Sequence, residues 1–103
     1  MRPTTLADRK ALIRSELEQR ARTGRTVTYG EVARMASLAP QGLGKMLDII
    51  KAEEAGRRRP DLGCLVVNSK TGFPGTVGTG RVERERALAI REAVFAAWVP
   101  PQP

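Results

Sequence analysis

Residues 26–75 read TVTYGEVARMASLAPQGLGKMLDIIKAEEAGRRRPDLGCLVVNSKTGFPG. Thr28 stands three residues before Glu31, the Thr-x-x-Glu spacing that satisfies the first amides of a helix. Val32, Ala33 and Ala36 share one face of that helix, which ends near Ser37–Leu38. Ala39-Pro40 marks a turn, with Pro40 at the first position of a second helix, where its missing N–H costs nothing. Leu43, Met46, Leu47 and Ile50 then recur at i, i+3, i+4 and i+7. Gln41, Lys45, Asp48 and Lys51 fall off that face. Gly42 and Gly44 each weaken the helix by about 1 kcal/mol against alanine, so something packs or approaches closely there. Gly56 closes the helix. Arg57-Arg58-Arg59-Pro60-Asp61 is a charged connection, and Leu62 to Asn68 is expected as a strand. Ser69-Lys70-Thr71-Gly72 is a turn, Phe73 starts the return, and Pro74-Gly75 cut a second strand short.

Working outward, Thr5 with Asp8 three residues later opens a first helix carrying Leu6, Ile13 and Leu17 at helical spacing. Lys10, Arg14, Glu18 and Gln19 are expected on its outer side. Thr23-Gly24 stops it, with Arg20 and Arg22 in the last turn, where the helix dipole favours positive charge. Arg25 to Val27 reads as a brief strand or an extended approach to the Thr28 helix. Residues 76–80 read as irregular, and residues 81–98 as a last helix with Leu88, Phe95 and Trp98 on one stripe and Ala87, Ile90 and Val94 beside it. Pro100-Pro101 ends it, leaving a loose tail at 99–103. The expected fold is mainly α with a small β-hairpin: a winged helix-turn-helix flanked by N- and C-terminal helices. It fills a single domain over residues 1–103, with its core motif at 26–75.

The composition, 41% hydrophobic and 28% charged, is that of a globular chain rather than a disordered one. The net charge of +7 comes mostly from arginine, which pairs bidentately with phosphate. A basic balance in a small domain points to a polyanion partner, nucleic acid first. Histidine is absent, which removes the commonest general base and metal ligand. A single cysteine, Cys64, allows no intramolecular disulfide, and with no histidine it builds no zinc site. No cofactor is expected. Neither a signal peptide nor a membrane span is recognisable, so the expected compartment is a reducing cytoplasm.

If the two central helices form a helix-turn-helix, the one from Pro40 presents its first residues to base edges while the preceding helix crosses the backbone. Gln41 and Lys45 are then the reading residues, and Gly42 permits close approach. Thr28 and Tyr29, at the start of the preceding helix, are candidate phosphate contacts. Lys70 tips the wing, and Arg57, Arg58 and Arg59 at its root reach flanking phosphates. The expected activity is non-catalytic binding of double-stranded DNA. Each feature also has a plain explanation: solvent-facing helix residues, an ordinary turn, an exposed arginine loop. Winged helices serve equally as protein-interaction modules. On that alternative the apolar face of the last helix, with Leu88, Phe95 and Trp98, mediates dimerisation or docking.

The Thr28-Tyr29-Gly30-Glu31-Val32-Ala33 segment, Gln41-Gly42-Leu43-Gly44, the stretch Cys64-Leu65-Val66-Val67 and Gly72 together resemble the DNA-binding domain of O6-alkylguanine alkyltransferases and alkyltransferase-like proteins. The resemblance covers about half of the chain. It implies that Tyr29 contacts the phosphate beside a flipped nucleotide. Gln41 stands where that family carries an arginine that replaces the extruded base. The family's Pro-Cys-His-Arg segment is missing: Cys64 is followed by Leu65, and no histidine is present to activate it. The resemblance therefore implies lesion recognition rather than alkyl transfer. The segment LVVNSKTGFPG also looks like one in small bacterial and phage-associated domains that carry a Tyr-Gly-Glu helix.

Overall fold

The computed structural model describes residues 5–74 and 80–100, with Pro40 and Gln41 described by their backbone alone. The Thr5 hydroxyl accepts the Asp8 amide at 3.0 Å and starts α1, Leu6–Thr23. Gly24, in the left-handed region at φ 68°, ends it. The chain extends through β1, Val27–Thr28, and Thr28 Oγ1 accepts the Glu31 amide at 3.2 Å to cap α2, Tyr29–Ala36. Ser37 at φ 54° turns the backbone, and α3, Pro40–Gly56, follows with proline in its first turn as expected. The last helix, α4, spans Arg81–Trp98.

The segment read as a strand from Leu62 to Asn68 is instead a short 3₁₀ helix, Leu62–Leu65, followed by β2, Val66–Val67. Asp61 causes the difference. Its side chain accepts the Gly63 amide at 2.8 Å and its carbonyl accepts the Cys64 amide at 3.2 Å, so the chain coils before it can extend. The expected hairpin is also replaced. β2 pairs with β1 in parallel, Val27 opposite Val66 and Thr28 opposite Val67. The Ser69–Gly72 turn does form. The Asn68 amide donates to the Phe73 carbonyl and the Gly72 amide to the Asn68 carbonyl, both at 2.8 Å. Asn68 Oδ1 takes the Lys70 amide at 2.8 Å, and Gly72 sits at φ 75°. Residues 75–79 and 101–103 lie outside the described residues, and with them most of the irregular stretch and the end of the tail.

The core is aliphatic. Ile13, Leu17 and Ala21 of α1 meet Val32 and Ala36 of α2, Leu43, Met46 and Ile50 of α3, Leu62, Leu65 and Val66, and Val94 of α4. Burying each large aliphatic side chain contributes about 1.5–3 kcal/mol. On α4 the buried strip is narrower than its pattern suggested. Ala87 and Val94 are buried, and Phe95 and Trp98 pack half-buried on the core, but Leu88 and Ile90 are exposed. The α1 helix meets α4 near Trp98, where two cations cover the ring.

The other correction concerns α1. Lys10, Arg14 and Glu18 do not line an outer face: they meet α3 in an ion cluster. Arg14 donates to Glu54 Oε1 at 2.6 Å, to Glu53 Oε1 at 2.8 Å and to Glu18 at 3.3 Å, and Lys10 pairs with Glu53. Glu54 is fully buried and is paired with Arg14 and, at 3.3 Å, with Arg57. Burial opposes the Arg14 charge, but its three carboxylate partners outweigh burial and hold its pKa above the ordinary value. Hydrogen bonds from Lys10 and then Arg14 hold the Glu53 carboxyl down at about 2, below the ordinary carboxylate range. A depressed carboxyl stabilises the fold at neutral pH, and that contribution is lost as pH falls from the ordinary value near 4.5 towards 2. Urea midpoints measured from pH 7 down should therefore drop steeply below pH 4.5, and Glu53→Gln should flatten that drop.

Candidate nucleic-acid interface

The start of α2, the second turn of α3 and Pro74 after the 68–73 loop come together at one cleft. Because β1 and β2 run in parallel, each strand delivers its next segment to the same edge: Val67 leads into the 68–73 loop, and Thr28 leads into α2. Tyr29, Gly44 and Pro74 line one cleft of about 680 Å³, so the start of α2, the second turn of α3 and the end of that loop face one another. Tyr29 is half-buried and packs on the core, while Lys45 and Lys70 are exposed. The start of α3 has no side-chain cap, which leaves its first amides open to an anion. The Thr28 hydroxyl uses its lone pair as the α2 cap, so towards a phosphate it acts as a donor.

The remaining sequence candidates fall differently. Gln41 lies in the first turn of α3. A side chain on Gly42 would meet Leu38 at 3.3 Å, so this glycine makes room for the turn between α2 and α3. Gly44 opens into free space and lines the cleft, which makes it the glycine that allows close approach from outside. Arg57, Arg58 and Arg59 follow the C-terminal end of α3, about 25 Å from its first turn at 1.5 Å per residue. They lie about 18 Å along the helix from Lys45. Arg57 turns back to Glu54, and Arg59 lies 5.0 Å from the Trp98 ring centroid, with Arg22 at 5.3 Å. A comparable arrangement forms beneath Lys70. Arg84 and Arg91 lie 5.0 and 5.6 Å from the Phe73 ring, and Arg91 donates to the Gly72 carbonyl at 2.7 Å. That hydrogen bond ties the loop to α4 over 19 residues of sequence, and neither residue type announces it.

The cleft floor is the 3₁₀ segment, with Asp61, Gly63 and Cys64; its walls are Leu47, Asp48 and Lys51 of α3 and Glu83, Arg86 and Ile90 of α4. No local sequence pattern marks this cleft, because its walls come from segments far apart in the chain. Burial pushes the Asp61 carboxyl up, against the pull of the Gly63 amide. Burial also pushes the Cys64 thiol up to about 12, reinforced by the nearby Asp61 charge. At neutral pH Cys64 is a neutral thiol, and thiolate is the nucleophilic form. Iodoacetamide at pH 8 should label Cys64 far more slowly in the folded chain than in urea; equal rates would contradict this placement. Among the described residues no cluster of His, Cys, Asp and Glu is arranged to hold a metal ion, and no helix is long and apolar enough to cross a membrane. Comparison of the chain with family models, with curated proteins and with solved structures gives no match.

Proposed function

We propose that this protein binds double-stranded DNA without catalysis, as a small winged-helix-like module. The first turns of α3 enter the major groove, and the 68–73 loop with Lys70 follows the flanking backbone in the role of a wing. The observation that carries the reading is the cleft that brings together the start of α2, the second turn of α3 and Pro74 at the end of the 68–73 loop, with Lys45 and Lys70 exposed on the latter two elements. Helix starts attract phosphate through their open amides and dipoles, and the net charge of +7 supplies long-range attraction. A three-residue turn between a short helix and a longer one suits the motif in which the second helix reads the groove. Fluorescence anisotropy with short duplexes at low salt tests it. Wild-type protein should bind, and Gln41→Ala with Lys45→Ala should weaken binding about tenfold. Absence of binding to any duplex would end the proposal.

One observation favours a second reading, recognition of an alkylated base without transfer: Tyr29 and Cys64 line the same cleft. A duplex containing an alkylated guanine should then bind at least tenfold more tightly than its unmodified counterpart, with no alkyl group gained by Cys64. Equal affinities would leave only the general DNA-binding reading.

A further inference from the structure

The arginines that the DNA reading leaves aside gather at one end of the molecule. Arg22 closes α1, Arg57 to Arg59 follow α3, and both groups reach Trp98 at the end of α4. Three helix C-termini therefore converge there. Each carries about half a negative charge, so one or two arginines would suffice to offset them. Four are present: Arg22, Arg57, Arg58 and Arg59. Arg22 pairs with Glu18 and Arg57 with Glu54. Arg58 and Arg59 are exposed and, among the described residues, form no carboxylate pair.

The backbone adds an independent observation. Arg58 sits at φ 57°, a left-handed conformation that costs a non-glycine residue about 1–2 kcal/mol. Glycine or asparagine would hold the same bend with less strain. The bend sends Arg57 back to Glu54 and Arg59 on to Trp98, with Arg58 free between them. An arginine kept at a strained position, beside two arginines held by their neighbours, fits a role for the guanidinium in binding.

We propose that this arginine end is a sequence-independent contact for the phosphate backbone of a second duplex segment, so that one molecule holds two duplexes. It rests on the DNA-binding reading for the first of them. Guanidinium forks match phosphate oxygens bidentately, and every cation of the cluster is arginine. Phosphate on nucleic acid is favoured over phosphate on a membrane because Trp98, the large aromatic there, is half-buried and covered by Arg22 and Arg59 rather than free to insert. The separation of about 25 Å along α3 keeps this end clear of a duplex seated at the first turn.

Energy transfer between donor-labelled and acceptor-labelled duplexes, with protein added at low salt, tests the proposal. Wild-type protein should bring the two duplexes together. Arg58→Glu with Arg59→Glu should reduce transfer at least tenfold while binding to a single duplex changes less than about threefold. Arg58→Asn, which suits the left-handed backbone, should reduce transfer in the same direction without loss of fold by circular dichroism. Wild-type binding of one duplex without transfer would overturn this proposal and leave the DNA-binding reading intact; binding of none would overturn both. Transfer that persists in the charge-reversed protein, as bridging by a dimer would give, also overturns it. So does an arginine-dependent affinity for phosphatidylserine vesicles with no effect of the same variant on duplex bridging.

Discussion

Replacing Arg14 by methionine should lower stability by about 3–5 kcal/mol, the usual cost of leaving a buried charge without its partner. The partner is Glu54, fully buried and 2.6 Å from the Arg14 guanidinium. Arg57 at 3.3 Å compensates in part, but its side chain is 54% exposed and water weakens its hold. Small domains have only about 5–15 kcal/mol in total, so the variant should unfold at much lower urea. The pair itself contributes less than its breakage suggests, because both charges were desolvated to form it. Arg14→Met with Glu54→Leu should therefore recover most of the loss. A single-variant cost below about 1 kcal/mol would contradict this account of the Arg14–Glu54 pair.

Lys45→Glu with Lys70→Glu should weaken duplex binding by about 10–100-fold, equivalent to about 1.4–2.8 kcal/mol. Both lysines are exposed and neither forms an ion pair among the described residues, so the fold should not register the change. Each reversal removes a favourable phosphate contact and adds a repulsive one. Anisotropy titrations measure the loss, and urea denaturation checks the fold. Unchanged affinity would move the DNA contact away from the first turns of α3 and the 68–73 loop.

What the sequence disclosed, and what it did not, divides by range. The caps at Thr5, Thr28 and Gly24, the start at Pro40 and the span of α4 rest on residues within one helical turn, and all were legible. The pairing of β2 with β1 was not, because a strand's partner depends on where α2 and α3 carry the chain in between. Asp61 was locally informative but was read as a loop residue rather than as the cap of a 3₁₀ turn. Arg14 was read as solvated because its partner lies 40 residues away, and helical periodicity alone assigns a charged side chain to water. Leu88 shares an apolar stripe with Phe95 and Trp98, but among the described residues no element packs over it, and periodicity alone does not show that. For the candidate site, Lys45 and Lys70 are legible as exposed cations, whereas the turn of Arg57 back to Glu54 and of Arg59 onto Trp98 depends on tertiary packing.

Binding of the wild-type protein to a labelled duplex, followed as salt is raised, tests the central claim most directly. Contacts from Lys45, Lys70 and one or two further basic groups should give a log–log slope of affinity against salt of about −3, since each neutralised phosphate contributes about −0.9. No measurable binding at low salt, or an affinity indifferent to salt, would contradict the account.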